Sequence, residues 1–255
     1  MIIAYHRPES LDEALRLLSR PSPRTVPLGG GTLLSHHGGD DIEVVDLQSL
    51  GMNTITERGH RLEVGATTSL QQLLEWKSCP PALATALRLE APLNLRNASS
   101  LAGTLVAADG LSTATTALLA LDAQLALRLA TIESMGLGEF LPARGRMPAG
   151  YLITAVEWLH ATTLEFEYVA RTAMDRPIIA VAVARWTSGR TRVAVGGWGP
   201  LPLLAMDGPE AAGAEDAVRN ACHAATDAWG SASYRMDVGA VLAGRCLARL
   251  GAIHS

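Results

Sequence analysis

Cysteine is scarce: three in 255 residues, at Cys79, Cys222 and Cys246. An odd number at wide spacing excludes a disulfide framework and a Cys-built metal site, and fits a reducing, cytoplasmic setting. Lysine is scarcer still, with Lys77 alone. Lys+Arg number 21 against 25 Asp+Glu, a formal charge of −4, so the clustered cations of a nucleic-acid surface are missing. Long apolar runs are missing too. Residues 114–126 are cut by Asp122 and Gln124, too soon for a membrane span. The opening Met1-Ile2-Ile3-Ala4-Tyr5 has no basic region before an apolar core, so no export signal is expected. What is present, 48% apolar and 18% charged residues, describes a globular chain.

The pattern along it is α+β. Ser10 and Glu13 form a capping box before Leu11, Ala14, Leu15 and Leu18 on one helical face, and Pro21 ends that run. Strands are predicted at 25–28 and 41–47, with a glycine turn and a short helix starting at Thr32 between them. A hairpin follows at 54–57 and 61–65 around Arg58-Gly59. A second capping box is expected at Thr68 and Gln71, with Pro80-Pro81 ending that helix and opening the next. Residues 94–103 read as a polar, turn-rich loop, 113–121 as a helix and 124–129 as a strand. The Gly-, Pro- and Met-rich stretch 129–150 is expected to be a linker. Beyond it, 151–158, 164–168, 178–186 and 190–196 read as successive antiparallel strands, with a turn at Ser188-Gly189, before helices near 209–228 and 236–250.

Two segments carry chemistry. Leu28-Gly29-Gly30-Gly31-Thr32-Leu33 lets backbone approach a ligand closely and turn its N–H groups toward an anion. It is neither Gly-x-Gly-x-x-Gly nor a P-loop, and by itself it is equally a plain tight turn. Ser100-Leu101-Ala102-Gly103-Thr104 combines small side chains, hydroxyls and open backbone, the equipment to wrap a pyrophosphate; alone, it also reads as an ordinary loop. His36-His37 are adjacent, so their side chains diverge, and an exposed pair is the simpler reading than a metal site. No serine has a Gly-x-Ser-x-Gly context, and no catalytic residue is assigned.

In order along the chain, these segments resemble the FAD-binding medium subunit of molybdenum hydroxylases of the carbon monoxide dehydrogenase and xanthine dehydrogenase type. The Pro8–Ala14 helix, the 28–34 loop, Val45-Asp46-Leu47, Gly65-Ala66-Thr67-Thr68, the 96–105 segment, Leu118–Ala123 and Arg171–Asp175 all match in sequence order. The resemblance implies two α/β FAD-binding subdomains, 1–53 and 54–150, followed by a C-terminal domain of antiparallel strands and helices, 151–255. It implies FAD held by Leu28, Gly29, Gly30, Gly31, Thr32, Leu33, Ser100, Leu101, Ala102, Gly103, Thr104 and Asp109. A branched side chain at Gly30 is then expected to obstruct the phosphate. It also implies a molybdopterin-binding large subunit and a [2Fe-2S] small subunit as partners, with electrons passing through the flavin to NAD or another acceptor. No metal ligands are implied in this chain.

Against that family pattern, Ala102 and Thr104 replace Gly and Asn, and Thr113 replaces Asp, removing a carboxylate. Ala102 would be strained if its position demanded positive φ. These replacements keep a second reading open: a diverged, flavin-poor relative serving as a binding or assembly scaffold.

Overall fold

A computed structural model describes residues 1–34, 39–129, 132–173 and 175–253. The chain groups into two compact units, each drawn from separated stretches: 1–73, 93–107 and 124–158 in one, and 74–92, 108–123 and 159–255 in the other.

The first unit holds two sheets. Strands β1 (Ile2–His6), β2 (Thr25–Leu28) and β3 (Ile42–Asp46) form a parallel sheet in the order β1-β3-β2. Helix α1 (Leu11–Leu18) starts where expected, since the Ser10 hydroxyl accepts the Glu13 N–H. Its Ala14, Leu17 and Leu18 pack with Val45, Leu47 and Leu152. The second sheet has the order β4-β5-β8-β6-β7, built from β4 (Ile55–Arg58), β5 (Arg61–Gly65), β6 (Gln124–Arg128), β7 (Ile132–Gly136) and β8 (Leu152–Leu159). Here the structure departs from expectation twice. β8 pairs with β6 and sits beside β5, not with the C-terminal strands it precedes. The expected linker holds β7 and helix α7 (Leu137–Ala143), because Leu137, Phe140 and Leu141 are buried and make that segment part of the core.

Helix α2 (Leu70–Glu75) begins one residue later than the capping pattern predicted. Ser69 and Gln72 cap it reciprocally: Gln72 N–H donates to Ser69 Oγ at 3.1 Å, and Ser69 N–H donates to Gln72 Oε1 at 2.8 Å. Thr68 is fully buried instead, and Gln71 receives Arg96 Nε at 2.9 Å.

In the second unit, β9 (Thr163–Val169), β10 (Ile179–Arg185), β11 (Thr191–Gly196) and β12 (Leu203–Gly208) form an antiparallel sheet in the order β12-β11-β10-β9. The Ile-Ala-Val-Ala-Val-Ala run of β10 explains why both faces can be covered. Ile179, Val181 and Val183 pack with Val218, Cys222, Leu242 and Cys246 of α8 (Ala214–Ala221) and α9 (Ala232–Ile253) and the turn after α8. The intervening alanines present a flat opposite face to α6 (Thr113–Ala120), every residue of which is buried, while α3 (Pro81–Glu90) packs on α6 and β9. Helix α8 starts at Ala214, later than predicted, behind Gly213 in the left-handed region.

Candidate functional site

The geometry of the two small-residue segments follows from strand ends. Leu28 closes β2, and its carbonyl accepts the Leu47 N–H at 3.1 Å, which ties the glycine run to the end of β3. Gly31 turns the chain with φ +71, Thr32-Leu33 form a turn and Leu34 is helical, and the rest of the short helix expected from Thr32 lies outside the described residues. Residues 35–38, with His36-His37, lie outside the described residues, as does Met174 of the 171–175 motif.

The second segment is helical rather than a loop. Helix α4 (Leu93–Ala98) leads through Ser99-Ser100 into α5 (Leu101–Ala107). The two segments, 67 residues apart in sequence, lie against each other: a Cβ on Gly30 would stand 1.5 Å from the Ala98 carbonyl oxygen, and one on Gly29 would stand 2.5 Å from Ser100 Oγ. Glycine is therefore demanded at 29 and 30 by the packing of 98–100. The expectation for Gly30 is corrected accordingly, since valine there would strike Ala98 first.

The backbone N–H groups of the two segments differ in kind. Among the described residues, no acceptor is found for those of Gly29, Gly30 and Gly31. In the second segment those of Leu101–Thr104 are engaged, whereas the Ser100 N–H meets no acceptor among the described residues. Leu101 N–H donates to Thr68 O at 2.8 Å, Ala102 N–H to Ala66 O at 3.1 Å, Gly103 N–H to Ser100 Oγ at 3.2 Å and Thr104 N–H to Ser100 O at 2.9 Å. The Thr104 hydroxyl also donates to Ser100 O, at 3.0 Å. The expectation of open amides therefore fails at 101–104, because a helix start needs partners for its first-turn donors and finds them in 66–68 and Ser100, and it holds at the Ser100 N–H. Ala102 is helical, so the anticipated positive-φ strain is absent there.

Asp109 belongs to the second unit. Its carboxylate accepts the Leu111 N–H at 3.0 Å and the Arg176 guanidinium at 2.8 Å. Beside it, Glu90 fills a role that the pattern alone did not suggest. Its Oε2 accepts Ala114 N–H at 2.9 Å and Ser112 Oγ–H at 3.0 Å and lies 3.2 Å from Thr113 Oγ1, whose proton goes to Ala86 O at 2.7 Å. The carboxylate missing at Thr113 is therefore supplied at the start of α6 from the end of α3. Burial pushes the Glu90 carboxyl above its ordinary range, against the pull of Ala114, Ser112, Arg176 and Thr113.

Two further charged groupings escaped sequence reasoning because their members are distant in the chain. Arg235 is fully buried, and its guanidinium donates to Ile178 O, Ala225 O, Gly230 O and both oxygens of Asp227. Arg190 and Arg192 share Asp122 and Asp207 at 2.7–3.0 Å, and Asp122, inside the 118–123 motif, stands at φ 56. Hydrogen bonding from Arg190 holds the Asp207 carboxyl below its ordinary range. The thiols are poor nucleophiles: burial pushes Cys79 and Cys222 up to about 11 and Cys246 up to about 12. No group of three or more metal-ligating side chains occurs among the described residues, and no described helix is long and apolar enough to cross a membrane.

Among the described residues, three sheets, a glycine turn with open amides at a parallel strand end, and helices on both faces of the last sheet define a mixed α+β protein. Residues 1–158 match the family described as the FAD binding domain in molybdopterin dehydrogenase, and the chain belongs to that family. FAD is the cofactor this membership assigns. The chain is 27% identical over 249 residues to the uncharacterized protein YgfM of Escherichia coli (strain K12), covering 95% of this chain and 94% of that one. Its fold is shared with reconstituted CO dehydrogenase from Oligotropha carboxidovorans, at TM-score 0.81, 22% identity and 96% of each chain. Quinoline 2-oxidoreductase from Pseudomonas putida 86 also shares it, at TM-score 0.77 and 20% identity over 98% of this chain and 96% of that one.

Proposed function

We propose that the chain is the FAD-bearing electron-transfer subunit of a molybdenum hydroxylase in the cytoplasm. Its partners are a molybdopterin-binding large subunit and a [2Fe-2S] small subunit, and electrons leave through the flavin to NAD or another acceptor. The observation that carries the reading is the glycine turn at 29–31, whose N–H groups are open at the strand end of a domain that the family match spans. Open amides fit a diphosphate, the anionic centre of FAD, and Leu33, 63% exposed beside them, fits an apolar ring system. The flavin supplies redox chemistry that no side chain here can perform. The residues hold and orient it: Leu28 ends the strand that aims the turn, Gly29–Gly31 offer donors, and Thr32 and Leu33 complete the rim.

Three functional parts, 1–53, 54–150 and 151–255, are proposed to correspond to the three sheets, with β8 closing the second. Iron–sulfur ligands are left to a partner, since the three cysteines here are far apart in sequence.

The test is the visible spectrum of the purified chain before and after incubation with FAD. A flavin band that stays with the protein through gel filtration is expected. A colourless chain that cannot be reconstituted would overturn the reading and leave the scaffold role.

A further inference from the structure

We infer that Arg235 positions the turn carrying Asp109, acting through the backbone of Ile178 and Gly197. The inference rests on the functional reading above, with Asp109 among the residues proposed to hold FAD, and goes beyond it to a side chain outside that set.

The contacts lie wholly within the second unit. At one end, all three nitrogens of the buried Arg235 guanidinium are engaged. Nε donates to Ile178 O at 2.9 Å, and Nη1 donates to Ala225 O at 2.5 Å and to Gly230 O at 2.8 Å. Nη2 donates to both Asp227 oxygens at 2.9 Å and makes a longer contact, 3.5 Å, with Gly197 O. Ile178 and Gly197 are themselves pressed together. Gly197 stands at φ +116, and a Cβ there would lie 2.5 Å from Ile178 O. One planar fork thus ties two touching backbone segments to a single carboxylate.

At the other end, the same segment holds Gly110 from both sides. Gly197 N–H donates to Gly110 O at 2.7 Å, and Gly110 N–H donates to Gly199 O at 3.0 Å. A Cβ on Gly110 would stand 1.7 Å from Trp198 O, so the two backbones are in contact. Asp109 is the next residue, and its carbonyl accepts the Ser112 N–H at 3.1 Å, which closes the turn. Its carboxylate, 46% exposed, takes Leu111 N–H and Arg176 and still faces solvent. A shift of Gly197 would therefore move Gly110 and carry Asp109 with it. A buried guanidinium is costly unless its donors are met, and here every partner except Asp227 is a backbone carbonyl. The side chain directs its hydrogen bonds to fixing the path of the chain.

Two measurements on the full chain test this: residue-resolved amide exchange without FAD, and the dissociation constant for FAD from a visible titration. Arg235→Lys and Asp227→Asn are compared with Cys246→Ala, which trims the buried core of the same unit and leaves every group of the clamp in place. Lysine lacks the fork, and asparagine lacks the charge that faces it. Relative to Cys246→Ala, the amides of Gly110 and Gly197 should exchange about tenfold faster in both clamp variants. FAD should bind them about tenfold more weakly, which corresponds to ~1.4 kcal/mol. Where Arg235→Lys does not fold, Asp227→Asn decides, since that carboxylate is 32% exposed. Unchanged exchange at Gly110 and Gly197 would overturn the clamp. Faster exchange with the FAD affinity of Cys246→Ala would overturn its service to the cofactor site. A parent chain that binds no FAD would instead sink the functional reading, while the exchange rates still decide whether Arg235 fixes the turn.

Discussion

Glu90 shows how a single side chain can restore what the local sequence gave up. Helix α6 has no acidic residue in its first turn, and Ser112 is its N-cap. Glu90 brings a carboxyl group to that end from another helix, so the donors of Ser112 and Ala114 converge on one oxygen. Because burial raises its folded pKa, the native state holds this proton more tightly than the unfolded chain does. The sign follows from linkage: its contribution is full below the unfolded carboxyl value and is lost as pH rises through the folded one. Urea unfolding at about pH 7 and about pH 5 should therefore show wild type gaining on Glu90→Gln as pH falls. A gap that shrinks toward acid would refute the assignment. Arg235 is the comparable case in the other direction. Nothing around it in sequence marks it, yet it is fully buried and satisfies three carbonyls and Asp227.

At the scale of elements, the caps separate what pattern can and cannot find. Ser10-x-x-Glu13 was legible because capping is a local hydrogen bond between residues three apart, and the N–H of Glu13 reaches Ser10. Thr68-x-x-Gln71 and Ser69-x-x-Gln72 satisfy the same rule equally well, and only the β5 exit and the pairing of Ser69 with Ser100 choose the second. Ser69→Ala should cost about 1 kcal/mol in unfolding free energy through the lost cap. Thr68→Val should be neutral or stabilising, because no partner among the described residues meets the buried Thr68 hydroxyl. Equal costs at both positions would mean that the helix start is misassigned. The same limit explains the 129–150 stretch: its Gly, Pro and Met content signalled a connection, but the burial of Leu137, Phe140 and Leu141 makes it structure.

For the molecule as a whole, chain order and packing order differ. The family match ends at 158, but α3 and α6, which precede that point, belong to the unit built around the C-terminal sheet. Every residue of α6 is buried, and it packs on β10 and β11. A fragment of residues 1–158 should therefore expose that helix, and is expected to aggregate or to melt without a cooperative transition by circular dichroism. A soluble fragment with a sharp melt would show that the first unit needs nothing from the C-terminal half.

The residues alone determined the order of helices and strands, the two small-residue segments and the family they resemble, because periodicity, caps and short motifs are properties of neighbours in the chain. Tertiary structure alone decided which backbone donors stay open. Gly29–Gly31 and Leu101–Thr104 look alike as strings. The second set is consumed by acceptors on residues 66–68 and Ser100, the first by none among the described residues. A hydrogen bond is a matter of where an acceptor lies in space, and for Ala66 and Thr68 that place is set by the packing of the second sheet and its helices, not by any residue beside the donors.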